Sequence, residues 1–187
     1  ATMNKILKTV QELPPMPQTM QKIIDLSKDE KASAKDLANV IAHDQALTTK
    51  VLKLVNSPFY GFPQKITSIQ QATALLGFSV VENLALAGMF IDTLRRSLKN
   101  YGLDKGGLWV HSIMTAYGAQ ALASRHNRAI RDTAFTAGLI HDIGKVIMDR
   151  FLGEQFDQIV NMVQTENVEF PVAEKRVLGF DHAEIGA

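Results

Sequence analysis

The chain has 187 residues, 46% of them hydrophobic, enough to bury a sizeable core in one large domain or two small ones. Its 20 Lys and Arg against 19 Asp and Glu, with no long basic run, argue against general nucleic-acid binding. The lack of cysteine excludes disulfides, thiolate metal sites and a Cys nucleophile, leaving His and carboxylate as the available metal ligands.

Ile6, Leu7 and Val10 predict a short opening helix within residues 1–13, stopped by Pro14, Pro15 and Pro17. The next segment carries Met20, Ile23 and Ile24 on one side and closes at Lys28-Asp29-Glu30. Ser33 with Asp36 three residues on resembles a capping box, followed by Leu37, Val40 and Ile41 facing inward. Asp44 of His43-Asp44 precedes the stripe Leu47, Val51, Leu54, Val55, which marks it as a helix N-cap rather than a metal ligand. Asn56-Ser57-Pro58-Phe59-Tyr60-Gly61-Phe62-Pro63 is a turn-rich loop whose aromatics are expected to plug a core, since no basic residues are interleaved with them. Ser68 with Gln71 and Ser79 with Glu82 form two further capping boxes, with Gly77 at the junction between their helices. The second of these runs through Leu84, Ala87, Gly88, Ile91 and Leu94 to Arg95-Arg96.

The polar, glycine-rich stretch 100–107 is the expected boundary, placed near residue 102, dividing subdomain 1–101 from subdomain 102–187. Trp109 to about His126 reads as a helix with His111 one turn inside it. Asp132 is expected to cap a central helix that runs to near Gly153. At helical period, Phe135, Leu139, Ile143, Val146 and Ile147 form its apolar stripe, and Ala134, Ala137, Ile140 and Met148 carry the stripe around most of the circumference. His141-Asp142 interrupts this oily helix. Burying an unpaired carboxylate costs many kcal/mol, so Asp142 requires a cation, a metal or several hydrogen bonds. Lys145 lies one turn after His141 on the same face, where an ammonium can grip an anionic oxygen. Phe156, Ile159, Val160 and Val163 mark a further amphipathic helix, and residues 178–187 a turn leading into a helix where the chain reads as cut short. Strand alternation, Asn-Gly hairpin signals and a glycine-rich phosphate loop are all absent, which predicts an all-α fold. No apolar run approaches the roughly 20 residues of a membrane span, and a signal-peptide layout is missing; a cytoplasmic protein without a membrane partner is expected.

His111, His141-Asp142 and His182 place an imidazole or a carboxylate on each of three helices. Octahedral Mn, Fe or Mg accepts such a mixture, and its bound water can become the nucleophile of phosphoester hydrolysis. The competing reading is a hydrogen-bonded polar cluster joining the helices.

Leu108-Trp109-Val110-His111-Ser112, the segment from Ala137 to Lys145, and the segment from Gly179 to Ala187 resemble the HD superfamily of metal-dependent phosphohydrolases. Leu13-Pro14-Pro15-Met16-Pro17, the stretch from Ile41 to Thr48, and the stretch from Val55 to Gly61 resemble the amino-terminal half of HDOD domains, the HD-related output domain family. This resemblance implies an all-helical bacterial signalling module: a bundle of two packed helical subdomains, the C-terminal one HD-like, without catalysis. Its implied partners are other signalling proteins or fused signalling domains. His111, His141, Asp142 and His182 fall on metal-ligand positions of the related HD-GYP cyclic di-GMP phosphodiesterases, and Lys145 on their phosphate-contacting lysine. The chain departs from that group in lacking the Gly-Tyr-Pro signature, and it ends before a distal histidine pair and aspartate could occur. The expectation is therefore a non-catalytic output or interaction module with no certain cofactor, a divalent Mn, Fe or Mg being the one its centre would take. The alternative is a metal-dependent phosphohydrolase or cyclic dinucleotide phosphodiesterase in which Lys145 is catalytic. A third reading is a nucleotide-binding sensor that keeps the pocket without the chemistry.

Overall fold

The computed structural model describes residues 17–29, 31–150 and 153–187; the helix expected within 1–13 lies outside them. The described helices are α1 (Gln18–Lys28), α2 (Ala34–Ala42), α3 (Gln45–Val55), α4 (Ile69–Leu76), α5 (Phe78–Leu94), α6 (Gly107–His126), α7 (Arg131–Ile140), α8 (Ile143–Met148), α9 (Gly153–Glu166), α10 (Phe170–Leu178) and α11 (His182–Gly186), with a 3₁₀ turn at Arg128–Ile130. Among the described residues, the sole extended pairing is an isolated bridge between Leu98 and Leu103, so the fold is all-α as the patterning predicts. The chain divides into two compact units, one of Pro15–Asp92 and one that contains Thr93–Ala187.

In Pro15–Asp92 the helix starts follow their capping chemistry. Ser33 and Asp36 make the reciprocal capping box at α2, and the Asp44 carboxylate accepts the Leu47 N–H at the start of α3. Ser68 accepts the Gln71 N–H in the same way, whereas α5 begins at Phe78, one residue ahead of the expected Ser79 cap. Gly77 joins α4 to α5 at φ +83°, a conformation open to glycine. The inward faces bury Ile23, Leu37, Ile41, Leu47, Val51, Val55, Ile69 and Val81. Gly88 lets α5 approach α3, because a Cβ there would stand 3.3 Å from Leu47. The aromatic loop departs from expectation: Phe59 is 75% exposed, with its ring edge-on to Tyr60, and Tyr60 stacks on Phe62. What anchors the loop is Asn56, whose amide donates to the carbonyls of Leu52 and Ile66 and accepts the Ile66 N–H.

In Thr93–Ala187, α6 and α7 form the most extensive helix pair. They meet through Gly138, where a Cβ would come within 2.8 Å of the Ala116 Cα. Leu108 and Ala116 of α6 and Phe135 and Leu139 of α7 are buried. A second apolar cluster of Met148, Phe156, Ile159, Ala173 and Phe180 ties α8, α9 and α10 together. The polar stretch after Leu98 is held to α8, with the Asn100 N–H and side-chain amide both donating to Asp149.

The central helix is two helices. The patterning predicts continuous helix from Asp132 to near Gly153, but α7 ends at Ile140 and α8 starts at Ile143. Asp132 is not its cap either; Ile130 occupies that position, and the Asp132 carboxylate accepts from Gln120 and Arg131. The break falls on His141-Asp142, where the buried carboxylate draws its partners from three other elements, described next.

Candidate functional site

Asp142 is the hub. Its side chain is 4% exposed, and each oxygen has its own partners. Oδ2 accepts from the Lys145 ammonium at 2.7 Å and lies 3.3 Å from His111 Nε2 and 3.4 Å from His141 Nε2. Oδ1 faces His182 Nε2 at 3.2 Å. Burial pushes the Asp142 carboxyl up, but the hydrogen bonds from His182 and Lys145 and the positive charge beside it win, holding the group well below the usual carboxylate range. It is an anion at any working pH.

The elements deliver these groups from different directions. His111 comes from the first turns of α6 and His141 from the end of α7; Asp142 and Lys145 flank the start of α8, and His182 opens α11. Lys145 therefore reaches Asp142 across one turn, and its ammonium also lies 5.9 Å from the centre of the Tyr101 ring. Gly144 makes the approach of α11 possible: a Cβ there would collide with the His182 carbonyl.

The imidazoles have assigned tasks. His141 Nδ1 lies 2.8 Å from the Gly138 carbonyl, which only accepts, so Nδ1 donates its proton there and Nε2 is turned toward Asp142 and His111. His111 Nε2 lies 3.2 Å from His141 Nε2. His182 is bracketed by carboxylates, with Nδ1 2.6 Å from Glu174 Oε2 and Nε2 on Asp142. Burial lowers the proton affinity of His182, but the bonds to Asp142 and Glu174 outweigh it and raise the pKa to about 9. His182 is thus a cation at neutral pH.

Glu174 and Tyr101 escape the sequence reading. Glu174 is fully buried, and it accepts from the Tyr101 hydroxyl at 2.8 Å and from the His182 backbone N–H at 2.9 Å in addition to the ring. Burial and the neighbouring Glu174 charge hold the Tyr101 phenol well above its ordinary pKa, so it stays a donor. One signal was present: Glu174 lies one turn after Phe170 and three residues before Val177, on a face otherwise apolar. Nothing comparable marks Tyr101, whose place depends on the loop.

The five residues expected at the site are brought together, with two different jobs. Donor atoms of His111, His141 and Asp142 lie within 4.8 Å of one another, the only group of this kind among the described residues. Two imidazole nitrogens and one carboxylate oxygen suit a divalent transition ion, and the backbone bond to His141 Nδ1 is of the type that orients metal-bound histidine. These three residues would hold the ion, which would supply an activated water for phosphoester chemistry. His182 stands outside that group, on the opposite oxygen of Asp142.

The HDOD domain family model matches residues 13–187. The fold is similar to a crystal structure of an HDOD domain protein from Geobacter sulfurreducens, with 30% identity and a TM-score of 0.79, covering 99% of this chain and 61% of that one. A candidate phosphohydrolase from Shewanella amazonensis is similar at 27% identity and TM-score 0.75, over 97% of this chain and 63% of that chain. A candidate signal-transduction protein from Marinobacter aquaeolei matches at 27% and 0.72, over 94% of this chain and 40% of its own. The chain therefore spans less than two thirds of each of these relatives.

Proposed function

The chain belongs to the HDOD domain family, and from that premise we propose that it is an output or interaction module of bacterial signal transduction whose HD centre is a polar pin rather than a working active site. One observation carries this reading: Asp142 is already neutralised from within. Lys145 occupies the oxygen that faces His111 and His141, and a protonated His182 occupies the other. A cation entering between the two imidazoles meets the Lys145 ammonium on the same oxygen, Oδ2, where the two positive charges repel. The likeness to a relative named for signal transduction, and the greater length of that relative, agree with a module that works beside fused domains or partner signalling proteins. No described helix is long and apolar enough to cross a membrane.

Melting curves test this reading. Asp142→Ala strands a half-buried ammonium and a buried imidazolium, and is expected to cost about 3 kcal/mol, while added Mn²⁺ leaves the wild-type Tm unchanged. A Tm that climbs with Mn²⁺ and stops climbing in His111→Ala would overturn it. That result belongs to the second reading, a metal-dependent phosphohydrolase acting on a cyclic dinucleotide or another phosphodiester, with Lys145 released to the phosphate. The orientation of His141 by the Gly138 carbonyl favours that alternative.

A further inference from the structure

We propose that Glu174 is the positioning residue of the HD centre, holding the His182 ring at the one orientation in which Nε2 meets Asp142 Oδ1. The proposal deepens the pin reading and rests on it. The hydrogen bonds of Glu174 go to Tyr101 and His182; it acts through His182, using Oε2 for both the ring Nδ1 and the backbone N–H of the same residue. A carboxylate oxygen that receives two donors from one residue fixes that residue's backbone and its χ angles together. Oε1 is held in turn by the Tyr101 hydroxyl. Tyr101 is itself fixed, because Asn100 beside it is doubly bonded to Asp149 and its ring packs edge-on to Phe156, 4.8 Å between centres.

The chain of contacts therefore runs Asp149, Asn100, Tyr101, Glu174, His182, Asp142. It links the loop after Leu98 to the hub carboxylate, and it leaves Oδ2 of Asp142 for Lys145, His111 and His141. A carboxylate at residue 174 is expensive to bury, and four-carbon apolar side chains would fill the same space without that cost. Its specific geometry toward His182 is what the buried charge supplies.

Imidazole NMR on ¹⁵N-labelled protein provides the test, in wild type, Glu174→Gln and Tyr101→Phe. In wild type the His182 Nδ1–H is expected as a distinct proton protected from exchange. Glu174→Gln, which replaces the charged acceptor by a neutral amide, is expected to weaken that protection and move both His182 ring nitrogens, with native helicity by circular dichroism. Tyr101→Phe, which removes only a hydroxyl, is expected to move the same resonances by less. His43 is the internal control, since its ring bonds the Asn39 carbonyl in Pro15–Asp92. Unchanged His182 signals in folded Glu174→Gln overturn the proposal; should that variant fail to fold, unchanged signals in Tyr101→Phe do so. The spectra are recorded without added metal, so metal-dependent stabilisation or turnover would defeat the pin reading and leave them as they are, and the two failures are separable.

Discussion

At the scale of single residues, Gly144 and His182 decide whether the centre exists. Gly144 has no room for a side chain, because a Cβ would run into the His182 carbonyl and press on the Gly186 backbone at 3.0 Å. Gly144→Ala must push α11 outward, and a loss of about 2 kcal/mol in urea unfolding is expected. His182 makes stability depend on pH. Its proton affinity rises from an ordinary 6.5 to about 9 on folding, through Asp142 and Glu174 and against Lys145. The resulting stabilisation is fully present below pH 6.5 and is lost as pH rises through 9; roughly 2 kcal/mol should disappear across that window, and His182→Gln should flatten the profile. Asp142 works in the opposite sense, adding stability above its ordinary 3.8 that is lost in acid. Urea titrations at pH 6, 7.5 and 9 measure the first effect directly.

At the scale of elements, helix existence and most caps were readable because each has a local cause. Ser33, Asp44 and Ser68 all sit where a side-chain oxygen accepts an orphan N–H, and the apolar stripes of α2 and α3 face inward. The break between α7 and α8 was not readable, since the apolar period continues through His141-Asp142 as though the helix did. The interruption is tertiary in origin: Asp142 must meet Lys145, His182, His111 and His141 at once, and an unbroken helix lacks the freedom to offer both oxygens that way. For the same reason periodicity found the ligand-type residues but not Tyr101, which only the loop after Leu98 carries to Glu174. Asn56 is a comparable case, a turn residue that proves to be the anchor of its loop. Its amide closes two hydrogen bonds with Ile66 and one with Leu52, so Asn56→Ala should cost about 2 kcal/mol in chemical denaturation, against little for Ser57→Ala.

At the scale of the whole molecule, two helical units are encoded in one chain, and the cluster around Asp142 lies entirely in Thr93–Ala187. His43-Asp44 shows how little the dipeptide itself means, for in Pro15–Asp92 it terminates one helix and caps the next. At His141-Asp142 the same pair acquires His111, Lys145 and His182, with Glu174 and Tyr101 behind them. Company rather than identity makes the centre, and on the proposed reading Lys145 and His182 are the cations that answer Asp142. Phosphodiester turnover in the presence of Mn²⁺, measured on wild type and Asp142→Asn side by side, tests this most directly. A self-neutralised pin predicts no hydrolysis above buffer by either protein; Mn²⁺-dependent hydrolysis by wild type that vanishes in Asp142→Asn would contradict it.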